Sequence, residues 1–155
     1  MAFEKFEGPF ADAEMLGCRD VFCGQRLMLD LFEYQRGAPL EDSSPGTETT
    51  GEAYLIGLTE SSRIWRITFE RPFAVRIRDQ TLGSKSKAKI NLPARCSFSE
   101  QSEWINEFVF DQSLGLFTPT HYIFDLVDNF IEIMGDDSPA VEEIQNETTG
   151  EGTEN

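Results

Sequence analysis

The sequence predicts an α+β domain: a mainly antiparallel β-sheet, curved or sandwich-like, packed against one principal α-helix over residues 99–114. Three observations carry this prediction. In Arg63–Asp79, Trp65, Ile67, Phe69, Phe73, Val75 and Ile77 alternate with Arg66, Thr68, Glu70, Ala74, Arg76 and Arg78. That is the period of strands with one buried and one solvated face. Ser97-Phe98-Ser99-Glu100 fits a helix capping box, with Ser99 an equally good N-cap, and Trp104, Ile105, Phe108 and Val109 follow on one helical face. Thirteen Phe among 155 residues favour sheet, in a chain long enough to bury about 70% of its unfolded surface as one domain.

Taken in order, residues 1–17 read as an irregular lead-in broken at Gly8-Pro9, with Phe3, Phe6, Phe10, Met15 and Leu16 draped over the core. Arg19–Tyr34 is strand-like and apolar on both faces, with Gly24 marking a bulge or a break into two strands. Residues 36–52 form a long polar loop, mobile or functional, and Ala53–Leu58 a short strand. Pro72 divides the alternating stretch into two strands or one bent strand. Residues 80–97 hold a lysine-rich loop or edge. Gly115 is placed to end the helix, with Leu116 packing back on Phe110. A hairpin of Thr120–Leu126 and Phe130–Met134 follows. A two-residue turn at Asp128-Asn129 would pair Leu126 with Ile131 and set Asp125 against Glu132, unless the loop is longer or a cation from the basic segment lies between them. The single globular domain covers residues 1–137. Residues 138–155 read as an acidic, disordered tail that only Val141 and Ile144 could anchor.

Charge is the second theme. The net charge is −15, which argues against a generic nucleic-acid binder. Residues 63–95 alone carry +7 and the remainder −22, an asymmetry that bears on association. Arg66, Arg76 and Arg78 on the predicted solvated face, with Lys85, Lys87 and Lys89, form a candidate surface for an anion or an acidic partner. The aromatic residues alternate to the opposite face, which disfavours RNA stacking.

Catalytic signatures are sparse. His121 is the single histidine, and no nucleophile elbow, phosphate loop, dinucleotide fingerprint or calcium loop occurs. A lone edge histidine at a strand start is the plain reading of His121, and a serine- or cysteine-based triad the sharper one. His121, Asp125 and Glu132 are the candidate polar cluster. Cys18, Cys23 and Cys96 have no zinc-ligand spacing and read as reduced thiols. The expectation is a non-enzymatic cytoplasmic protein without cofactor, without a signal peptide and without a membrane span.

The motifs Ser102-Glu103-Trp104-Ile105-x-x-Phe108, Gln112-Ser113-x-Gly115-Leu116-Phe117, His121-Tyr122-Ile123-Phe124 and Phe130-Ile131-Glu132-Ile133-Met134 precede Asp136-Asp137-Ser138-Pro139. This order resembles a group of small, uncharacterised bacterial proteins, some regarded as immunity-like, over about forty residues. The resemblance implies a protein-binding immunity role and carries no catalytic residue. With the acidic charge it suggests neutralisation of a basic toxin. The alternative is a small-ligand or structural module acting with an operon partner. Edge strands could also support a homodimer.

Overall fold

The structure is a computed structural model that describes residues 3–39, 54–57, 61–79, 92–111, 118–136 and 138–146. Two antiparallel sheets pack face to face. The first has five strands in the order β1 (Glu4–Lys5), β8 (Cys96–Ser99), β9 (Thr120–Asp125), β10 (Asn129–Gly135) and β7 (Pro72–Asp79). The second has four, in the order β11 (Ala140–Ile144), β6 (Ile64–Phe69), β3 (Leu27–Glu33) and β2 (Leu16–Cys23). A separate two-stranded pair joins β4 (Gln35–Pro39) to β5 (Tyr54–Gly57).

Alternation explains the core. Leu27, Leu29 and Leu31 of β3 lie opposite Phe69, Ile67 and Trp65 of β6. Ile131 and Ile133 of β10 lie opposite Phe124 and Tyr122 of β9. These four inner faces share one buried cluster with Phe10, Leu16 and Cys96, the arrangement of an aligned sandwich. Phe69 meets Tyr122 and Phe124 edge-on across the layers, with ring centroids 5.2 and 6.3 Å apart.

The chain passes between sheets at Glu70-Arg71: β6 belongs to one sheet and β7 to the other. The alternating stretch is thus continuous in sequence but bends from layer to layer. Phe73, Val75 and Ile77, expected on a buried face, are only partly covered, with Val75 36% and Ile77 53% exposed. Val75 and Ile77 share the inner face of their sheet with Ile133 and Ile131, but β7 is its last strand and the facing layer is one strand narrower; Phe73, beside the register shift, packs instead with Met134 and Phe110.

Four expectations are corrected. The principal helix over 99–114 does not form, so the domain is built from antiparallel sheets and is not α+β. The sole α-helix among the described residues is α1 (Glu103–Asn106), and Ser97–Ser99 belong to β8. Its N-cap is Ser102, whose Oγ accepts a 3.3 Å hydrogen bond from Ile105 N–H. Trp104 and Ile105 are buried against Met134, whereas Phe108 is half-exposed and Val109 fully exposed. Asn106, Phe108, Val109, Phe110 and Asp111 are weak helix formers, so propagation does not repay nucleation beyond the turn that packing fixes. The stop at Gly115 and the Leu116 contact lie outside the described residues.

The two-residue turn is the second correction, and the longer-loop alternative holds. Phe130 pairs Asp125, Ile131 pairs Phe124 and Glu132 pairs Ile123. The loop therefore spans Leu126–Asn129, closed by Leu126 N–H donating to Asn129 O at 2.9 Å. Third, the acidic tail does not begin at 138. β11 adds to the edge of β6, with Val141 opposite Ile67 on the inner face and Glu143 holding Arg63 at 2.7 and 3.1 Å. Fourth, the lead-in is not irregular throughout: β1 pairs with β8, while Phe10, 1% exposed, packs on the core as expected. Gly24 marks the break between β2 and β3. Of the loop expected over 36–52, residues 36–39 belong instead to β4, and 40–52 lie outside the described residues.

Candidate functional site

The outer faces of the two sheets, not the core, hold the charged groups. On the five-stranded sheet one row crosses four strands: Ser97, Ile123, Glu132, Arg76. Beside it runs Ser99, His121, Met134, Ala74. Glu132 is 0% exposed, and a buried carboxylate persists only when its lone pairs are satisfied. Arg76 donates from Nε to Oε2 at 2.8 Å and from Nη2 to Oε1 at 2.9 Å. Arg78, two residues along the same face, places Nε and Nη2 at 3.0 Å from Oε2. Aromatic rings support both guanidiniums: Arg76 lies 4.3 Å from the Trp104 centroid, and Arg78 lies 5.7 Å from that of Phe130, its cross-strand partner.

His121 completes the cluster. Its Nε2 lies 2.9 Å from Glu132 Oε1 and its Nδ1 2.8 Å from Ser102 Oγ. The ionised carboxylate can only accept, so Nε2 carries a hydrogen; in the neutral ring Nδ1 then accepts from the Ser102 hydroxyl. Trp104 packs against the imidazole at 4.9 Å and Phe3 at 5.4 Å, both edge-on. Burial alone would raise the Glu132 carboxyl. The hydrogen bonds from His121 and Arg76 and the charges of Arg76 and Arg78 outweigh it and hold the group down at about 2.

Ser102, His121 and Glu132 thus stand in the hydroxyl–imidazole–carboxylate order of a hydrolytic triad. Ser102 is 2% exposed, His121 1% and Glu132 0%. Ser102 Oγ also caps α1, and Glu132 already serves two guanidiniums. The array locks the helical turn to the sheet and leaves no space around Oγ for a substrate carbonyl.

The four-stranded sheet carries a second charged row: Asp20, Asp30, Arg66, Glu142. Asp20 and Asp30 are direct cross-strand partners, an unfavourable pairing by itself. A bulge between Cys18 and Asp20 inserts Arg19 beside them. Its Nε donates to Asp20 at 2.9 Å and its Nη2 to Asp30 at 3.1 Å. Arg66 grips Asp30 from the other side at 2.8 and 3.0 Å. Against the upward push of burial, these cations hold the Asp30 carboxyl below its ordinary value.

Of the candidate residues, His121 and Glu132 are brought together. Asp125 is not among them: it pairs with Arg95 at 3.0 Å. Arg76 and Arg78 share one site, Arg66 stands on the other sheet, and Lys85, Lys87 and Lys89 lie outside the described residues. His121 is a buried residue of an inner strand, not an edge histidine. Sequence reasoning missed Asp30 and Arg19. A carboxylate set among Leu27, Met28, Leu29, Leu31 and Phe32 was the available signal, because a charge within an apolar strand requires a partner.

The thiols are unlinked. Burial pushes Cys18 up to about 11 and Cys96 higher still. Among the described residues no group of three or more His, Cys, Asp or Glu could hold a metal ion, and no helix is long and apolar enough to cross a membrane. No family model, curated protein or solved structure matches the chain.

Proposed function

We propose that this is a non-enzymatic binding protein whose acidic surface engages a basic protein partner, in the manner of an immunity protein neutralising a toxin. The observation that carries this reading is how the cations are placed. Among the described side chains, every lysine and arginine is paired with a carboxylate of the same chain. Lys5 holds Asp12, Arg26 holds Glu70, Arg63 holds Glu143, Arg71 holds Asp136 and Arg95 holds Asp125. Arg19, Arg66, Arg76 and Arg78 hold Asp20, Asp30 and Glu132. With 28 acidic residues against 13 basic ones, the carboxylates left over set the external field. Such a field accelerates encounter with a basic surface and fixes its orientation.

Burial of Ser102 supports the non-enzymatic reading. A small-ligand module has less in its favour. The open cleft of about 330 Å³ between Lys5, Asp12, Leu92, Arg95 and Asp125 is lined by cations already paired within it. The test is co-expression of this chain with the products of the reading frames adjacent to it, basic ones first. Rescue of growth and recovery of a stable complex are expected; growth arrest with no complex would overturn the reading.

A further inference from the structure

We infer that Arg76 and Arg78 form a preorganised receptor for an oxyanion, a carboxylate or phosphate group carried by a ligand or partner. Charge balance is the first reason. Each ion pair elsewhere among the described residues matches cations to carboxylates: Arg19 and Arg66 stand against Asp20 and Asp30, and the others pair singly. Among the described residues, Glu132 is the one carboxylate shared by two guanidiniums with no second carboxylate hydrogen-bonded in its cluster. Asp79, the carboxylate nearest in sequence, alternates to the opposite face of β7 and pairs in register with Asn129.

Geometry makes the surplus usable. Both guanidiniums meet Glu132 through Nε and Nη2. A planar guanidinium held along that edge turns Nη1 away from the carboxylate, with its donors directed outward. Each side chain remains 36% exposed, so that outer edge is reachable. Glu132 is fully buried within the sheet, and the rings of Trp104 and Phe130 lie against the two guanidiniums. An incoming oxyanion therefore meets donors whose rotamers are already set, which removes much of the ordering cost of binding. Two adjacent guanidiniums suit a planar or tetrahedral oxyanion that can bridge them. The acidic remainder of the molecule opposes this only weakly, because its field is screened over about 8 Å at physiological salt while the contacts are direct.

This site is distinct from the acidic surface that would meet a basic partner, and it stands if that partner does not exist. The experiment is a titration of the full chain, labelled at arginine nitrogen, followed through the Nε–H resonances. Sodium phosphate and sodium acetate are the probes, each at ionic strength matched with chloride. Arg76 and Arg78 are expected to shift saturably, while Arg19 and Arg66, whose cluster is balanced, stay in place. Saturation by phosphate well below acetate assigns the site to phosphate-bearing ligands; equal saturation assigns it to carboxylates. Arg78→Gln, which leaves the Arg76 clamp on Glu132, is expected to weaken binding about tenfold, the loss of one charge-assisted contact. Shifts no larger than chloride produces, or equal shifts at all four arginines, would overturn the proposal, and both are read on the unmodified chain.

Discussion

Glu132 shows how one residue sets local chemistry. Removing its charge leaves two guanidiniums and an imidazole facing a neutral amide at a dry site. Glu132→Gln is expected to cost about 3 kcal/mol, as breaking a buried ion pair does, measured by urea unfolding. The pH dependence follows from the depressed carboxyl. Its folded value of about 2 lies below its ordinary 4.5, so its stabilising contribution is complete above 4.5 and is lost as pH falls from there toward 2. Chemical denaturation across that window should show a steep fall in the native chain and a shallower one in Glu132→Gln. Gly17 is set by sterics at the same scale. A Cβ there would lie 2.5 Å from Tyr34 Cε2 and 2.6 Å from Phe32 Cζ, whereas nothing lies within 4 Å of one at Gly24. Gly17→Ala is expected to destabilise by about 1–3 kcal/mol, and Gly24→Ala by much less, with thermal melts as the check.

At the scale of elements, the decisive features are places where strands depart from regularity. The bulge in β2 delivers Arg19 to two carboxylates that would otherwise repel across the ladder. Arg19→Ala should therefore lower stability more than Arg26→Ala, whose 3.7 Å pair with Glu70 is exposed on both sides. Denaturant midpoints of the two variants decide this. β11 is the other case. Its composition is acidic, but Val141 lies over Ile67 and Glu143 holds Arg63. Ending the chain after Pro139 removes this cover and should cost about 2 kcal/mol or more from the apolar area re-exposed, read from the melting transition. A freely solvated tail would leave the transition unmoved.

For the whole molecule, the sandwich sorts apolar groups between the layers and charged rows onto the outer faces. The apolar set remains open at the β7 edge, where Val75 and Ile77 reach solvent. The balance of −15 then governs how other molecules approach. If a basic protein is the partner, its association rate should fall steeply as salt rises while its dissociation rate changes little. Stopped-flow mixing of this chain with such a partner, at several salt concentrations, measures both.

The sequence by itself determined the strands with strong alternation, the turn glycine at position 24, the single histidine and the charge asymmetry, because each is a local or additive property. It also brought His121 and Glu132 into one candidate cluster. It overestimated the helix, since a capping pattern and a few apolar spacings do not outweigh the weak helix formers crowded between Asn106 and Asp111. Only the tertiary structure decided which sheet each strand joins, that Asp125 lies opposite Phe130 and not Glu132, and that Arg76 meets Glu132 across 56 residues of chain. Register between distant strands is fixed by the complementarity of whole faces, and no local pattern in the chain specifies it.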